Sequence, residues 1–306
     1  MSLDTADSIA KAAKKTAVDL GWNQWQSLTS PAGRTTAIVD IETLVILSLA
    51  IVQHERRLGD LVASWSAEGA RYLSVGRMRK IATRFGSAGA SALGAYAALI
   101  GDHRWIADAT SHALSVRGKR AAPLQFTGEA ALMLRLRAAF GVGPKADLLT
   151  VLIGLHGATA TVRDLTHATT YVARAVRQSL DEMSSAGIVE RIDDSVALYR
   201  ADPAEWRTFL HLAPAGSTRS WYPWADIGAL LVAVIEWEAE AKAKEWSEYV
   251  TAARATDLIE SHHTPALAKL QPRSRRRVVK EGNDLGPLAA LVTDLAELVK
   301  NAHAPR

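Results

Sequence analysis

Arg174, Arg177 and Gln178 lie in a segment whose apolar residues recur at Val172, Val176, Leu180 and Met183. Spacings of four, four and three place those four on one stripe of a helix, predicted over 171–186, and leave the arginines and the glutamine on the opposite surface. An arginine fork pairs bidentately with guanine and a glutamine amide with adenine, and a helix is an element that enters the major groove of duplex DNA. Thr170 and Tyr171 stand at the entry of this helix, either as a cap with partial packing or as further contacts. Arg163 on the preceding helix and Arg191 on the following strand are candidate phosphate contacts.

Three more groups of basic residues are candidates for the same polyanion. The first is Arg71, Arg77, Arg79, Lys80 and Arg84, with no acid between them, on a helix that Ser74 can cap; Arg77, Arg79 and Lys80 are its candidate contacts. The second is Arg117, Lys119 and Arg120, and the third is Arg273, Arg275, Arg276 and Arg277 with Lys280, a possible backbone clamp. A charge run is ordinarily a solvated face, so these carry less weight than the helix 171–186.

Other chemistries find no support in the residues. With no cysteine there is no disulfide, thiolate zinc site or iron–sulfur cluster to consider. His262-His263 has no third ligand at helical spacing, so no metal is expected. Gly141-Val142-Gly143 lacks the following Gly-Lys-Ser/Thr of a phosphate loop, and no G-x-S-x-G or H-E-x-x-H occurs. Neither a cofactor nor an enzymatic activity is therefore expected. The net charge of +4 is compatible with a polyanionic partner but does not identify one.

The elements that must position Arg174 and Arg177 follow from the local signals. A helix is predicted over 146–155, broken at Gly157, then a short helix over 162–167 capped by Thr161, then a turn at Ala168-Thr169-Thr170. After the helix 171–186, Ala186-Gly187 is a stop. Residues 188–192 and 196–200 alternate apolar and polar about a turn at 193–195, which predicts a hairpin. The hinge Gly141–Pro144 sets the domain division: a helical N-terminal domain 1–140, a central domain 141–212 and a helical C-terminal domain 213–306. In the first, helices are expected over 4–20 (ended by Gly21), 40–53, 61–70, 75–85 and 86–100, then over 130–140 with an arginine face at Arg135 and Arg137. In the last, one long helix is expected over 225–251 and another over 285–300. The apolar stretches 43–52 and 227–235 fall well short of the ~20 residues of a membrane span. The N-terminus has no secretory pattern, and a cytoplasmic location is expected.

The runs TVRDLTHAT (161–169), VRQSLDEMSSAGIVERI (176–192) and ALYR (197–200) resemble the winged helix-turn-helix of MarR- and ArsR-type bacterial regulators. More loosely, LMLRLRAAFGVGPKADLLTVL, ADPAEWRTFL, DIETLVILSLAIVQHERRLGDLVASW and RYLSVGRMRKIATRF resemble a group of actinobacterial winged-helix proteins. The resemblance implies a mainly α protein with one β-hairpin wing. It implies a transcriptional regulator that binds double-stranded DNA, expected as a homodimer and away from membranes, with the small-molecule effector left open. The chain departs from that pattern in its very short wing, in the acidic tip Asp193-Asp194, and in the nine acidic against six basic residues between Lys145 and Trp206. An alternative therefore stands beside the first reading: a protein-interaction adaptor or antitoxin-like partner that uses the winged helix as a scaffold.

Overall fold

The computed structural model describes residues 5–29, 37–101, 126, 128–210, 220–262, 264–270 and 284–303. Among them the protein is mainly helical, as expected, with fourteen α-helices and one small antiparallel sheet.

The N-terminal helices are α1 (Ala6–Thr29), α2 (Ile41–Ala50), α3 (Arg56–Gly69), α4 (Val75–Arg84) and α5 (Gly86–Ile100). Helix α1 runs through Gly21, the expected stop. That glycine serves close packing, since a Cβ there would lie 3.0 Å from a methyl of Leu58. Helix α2 is buried from Ile41 to Leu49, and its N-cap Asp40 accepts a hydrogen bond from the Thr43 amide. Ser74 caps α4 as its sequence position predicts, accepting from the Arg77 amide.

The central elements are α6 (Leu132–Phe140), α7 (Pro144–Gly154), β1 (Ala160–Thr161), α8 (Val162–Thr169), α9 (Ala173–Ser185), β2 (Glu190–Ile192), β3 (Leu198–Arg200) and α10 (Pro203–Phe209). The expected hairpin is present in shortened form, with Arg191 opposite Tyr199. A third strand joins it: Ala160 pairs with Tyr199 and Thr161 with Leu198, giving the order β1-β3-β2. Two residues are too few to show a period of two, so β1 had no signature in the sequence.

Beyond α10 lie α11 (Trp224–Ala243), α12 (Glu248–His262), α13 (Pro265–Leu270) and α14 (Gly286–Ala302). The single helix expected over 225–251 is two. The chain reverses at Glu245, which takes a left-handed conformation (φ 51°). The reversal lets α12 fold back on α11, burying Ala252, Ala255 and Ile259, and lets the Trp237 indole N–H donate to the Thr251 carbonyl. A continuous helix would leave those side chains in water.

Buried side chains fall into two clusters. One spans α1–α5, α11, α12 and α14, so helices from both ends of the chain share a core, and α1 packs on both α11 and α14. The other holds α6–α9, the sheet and Trp206 together with Ile38. The strand-like segment before α2 stitches the two clusters. The Ile38 amide donates to the Ser220 carbonyl, the Ile38 carbonyl accepts from the Trp224 indole, and the Trp221 amide donates to the Gly154 carbonyl.

Candidate nucleic-acid interface

Helix α8 is fixed at its start by a reciprocal cap: the Asp164 amide donates to the Thr161 hydroxyl oxygen, and the Asp164 carboxylate accepts from the Thr161 amide, both at 3.1 Å. Thr170 then turns the chain in the left-handed conformation (φ 62°) and is buried. Helix α9 begins at Ala173 rather than at Tyr171: Val172 just before it is extended, and the Tyr171 side chain turns inward to Asp147. Its buried stripe is Val176, Ser179, Leu180 and Met183. Val172, expected in that stripe, is 59% exposed.

On the outward side, Arg163, Arg174, Arg177 and Gln178 are exposed. Arg163, Arg174 and Arg177 have no hydrogen-bond or ion-pair partner among the described residues. The Gln178 amide donates to Glu182 at 3.0 Å. Arg191 is exposed but engaged, with Asp193 at 2.7 Å and Asp181 at 3.5 Å, and its hydrogen bond to Asp193 raises its pKa. Arg200 pairs with Glu190 at 2.6 Å. The hairpin thus neutralises its own cations.

Several residues expected at a nucleic-acid surface are instead inside the protein. Arg77 is 1% exposed. Its guanidinium donates to Asp40 at 2.8 Å, to Glu42 at 2.7 Å and to the Thr169 carbonyl at 2.9 Å. Arg137, expected on an arginine face, is buried too; it donates to Asp147 at 2.7 and 2.8 Å, to Glu42 at 2.6 and 3.2 Å and to the Tyr72 carbonyl at 2.7 Å. The Tyr171 hydroxyl donates to Asp147 at 2.9 Å, so this side chain faces the same cluster and not a groove.

Two guanidinium groups and three carboxylates thus meet in the interior. The surplus negative charge lies at helix N-termini, with Asp40 capping α2 and Glu42 and Asp147 in the first turns of α2 and α7. Burial alone would push the Asp147 carboxyl up, but Arg137 and Arg77 hold it below the ordinary aspartate value. For Tyr171, burial and the adjacent Asp147 charge both push the phenol up, so it stays a neutral donor.

Helix α4, which carries the candidate contacts Arg77, Arg79 and Lys80, is a strut. Arg77, Lys80 and Arg84 recur at spacings of three and four and donate to the carbonyls of Thr169, Thr170 and His167, the C-terminal end of α8. Cations placed there offset the negative end of the α8 dipole. Arg84 also reaches Asp226 of α11 at 3.2 Å, which in turn meets the His167 ring at 2.7 Å. Lys80 remains exposed at the α8–α9 turn, and Arg79 is exposed on the same helix. Thr170 offers no surface contact, being 8% exposed.

Arg273, Arg275, Arg276 and Arg277, with the 117–120 cluster, lie outside the described residues, as does His263. The His262 ring donates to the Leu258 carbonyl at 3.1 Å, and no group of three metal-ligating side chains occurs among the described residues. No described helix is long and apolar enough to cross a membrane.

The interior cluster is the feature that sequence reasoning missed. Its only trace was acids set in otherwise apolar runs, Asp40 and Glu42 before Thr43–Val52 and Asp147 before Leu148-Leu149. No known protein family, curated protein or solved structure matches the chain.

Proposed function

We propose that residues 144–200 form a winged helix-turn-helix of the MarR/ArsR kind and that the protein is a DNA-binding transcriptional regulator in the cytoplasm, not an enzyme. Helix α9 enters the major groove of duplex DNA, and two copies of the chain bind two half-sites. The order α7-β1-α8-α9-β2-β3 with sheet order β1-β3-β2 supports the module. The observation that carries the function is the outward face of α8 and α9, where Arg163, Arg174 and Arg177 stand exposed without a protein partner among the described residues. Arginines so placed can neutralise phosphates and reach base edges. Lys80 of α4 adds positive charge at the turn that leads into α9, which offsets part of the local acidic surplus.

The test is polarisation binding to a random-sequence duplex pool, and then to sequences selected from it, across a salt series. The expected result is a log–log salt slope of about −0.9 per neutralised phosphate, made shallower by about two in R174A/R177A. The double variant should unfold like the wild type, because both side chains are exposed. Binding without salt dependence, or equal binding by the double variant, refutes the reading. A protein-interaction adaptor is the second reading, favoured by the wing, where Asp193 and Glu190 already occupy Arg191 and Arg200. Light scattering that gives a monomer at micromolar concentration counts against the two-copy arrangement.

A further inference from the structure

A cleft of about 510 Å³ opens between the C-terminal end of α2 with the loop after it, the first half of α5, and the middle of α11. Its size lies within the range of small-molecule sites. The apolar lining comes from small or branched side chains, among them Ala88, Ala92, Ala95, Val232 and Ile235. Alanines at spacings of four and three keep the α5 wall flat, which leaves room beside α11. The polar lining is Gln53, His54, Ser87, Ser91 and Glu236. Partial burial and the nearby Lys14 pull the His54 imidazole below its ordinary value. Glu236 is the one carboxylate among the lining residues. The Ser87 hydroxyl donates to its Oε1 at 2.8 Å. Its Oε2 has no hydrogen bond, and the carboxylate has no ion pair, among the described residues.

We propose that this cleft binds a compact organic cation: an amine whose charged head pairs with Glu236 and whose apolar body lies along the alanine face of α5. The Glu236 carboxylate stands at an exposed lining position, with one oxygen held by Ser87 and the other able to accept from an ammonium. The lining holds no lysine or arginine that would pair with an anionic ligand. The proposal stands independently of the DNA reading, since none of its residues belongs to α8 or α9. The two sets of elements are joined within the fold. Helix α2 carries Glu42 of the interior ion cluster at its other end, and α5 continues from α4, which holds the α8–α9 turn.

The test uses 2-phenylethylamine, benzylamine and cyclohexylamine against the alcohols and carboxylates of the same skeletons. Binding to the full chain is followed by protein-observed NMR. The amines should bind saturably with Kd in about the millimolar range expected of fragments this small, and the matched carboxylates should not. E236Q should weaken the amines roughly tenfold or more, as expected when a hydrogen bond to a charged group is lost. Ser91→Leu, at an exposed lining position, should block them by filling the cleft while leaving the thermal unfolding midpoint in place. Absence of saturable amine binding, equal binding of amine and carboxylate, or undiminished binding by E236Q overturns the proposal.

Discussion

Replacing Arg137 with Met keeps much of the side-chain volume and removes the guanidinium that ties α6 to α2 and α7. Five hydrogen bonds go with it: two to Asp147, two to Glu42 and one to the Tyr72 carbonyl. The carboxylates stay buried but do not lose every partner. Glu42 keeps Arg77 at 2.7 Å and the Ser74 amide at 2.8 Å, and Asp147 keeps the Tyr171 hydroxyl. Removing one member of a buried ion pair costs about 3–5 kcal/mol, because the partner is left charged in a medium that solvates it poorly. With the remaining donors in place, the expected loss at pH 7 is in that range rather than the sum over both pairs.

The pH dependence separates this account from simple loss of packing. In the wild type, Asp147 is held below its ordinary value, so its contribution is complete above the unfolded aspartate pKa and disappears as pH falls through the lower folded value. In R137M, burial acts with less opposition and the carboxyl titrates higher. The variant takes up a proton on folding, and the deficit relative to wild type shrinks as pH falls from 7 towards 5. Urea unfolding followed by circular dichroism at several pH values reads both effects. A deficit under about 1 kcal/mol at pH 7, or one that does not change with pH, refutes the view that uncompensated carboxylate charge dominates.

Two further changes test local elements. Thr161→Ala removes the side-chain half of the cap on α8 and should cost about 1 kcal/mol, read from the shift in denaturant midpoint. Glu245→Gly, at the exposed left-handed residue between α11 and α12, should stabilise by about 0.5–1 kcal/mol, since glycine takes φ 51° without the Cβ clash; a lower melting temperature contradicts the strain assigned there.

Much of the local structure was legible in the sequence. Thr161 and Ser74 are caps because a short hydroxyl side chain ahead of a periodic run satisfies an amide within its own first turn. The stripe Val176, Leu180, Met183 and the hairpin that follows are set by neighbours a few residues away. The exposed Arg174, Arg177 and Gln178 follow from the same period. What depended on long-range packing was not legible. Gly21 looked like a helix stop and is a contact with Leu58; the reversal at Glu245 exists because α12 gains by covering α11.

The fate of the arginines shows the division most clearly. As residue types, Arg77, Arg79 and Lys80 are indistinguishable from Arg174 and Arg177: cations on a helix, yet Arg77 is buried while Arg79 and Lys80 are exposed. Whether a cation faces water or the interior depends on where the carboxylates of other segments arrive, and Asp40, Glu42 and Asp147 are 37, 35 and 70 residues from Arg77 in the chain. Local spacing along the chain was enough for most helices and their apolar sides, but it ran 225–251 together as one helix and put the exposed Val172 in the buried stripe. Contacts between distant segments put Arg77 and Arg137 in an internal ion cluster and left Arg163, Arg174 and Arg177 outside. A buried charge is tolerable only where opposite charges converge on it from several elements at once.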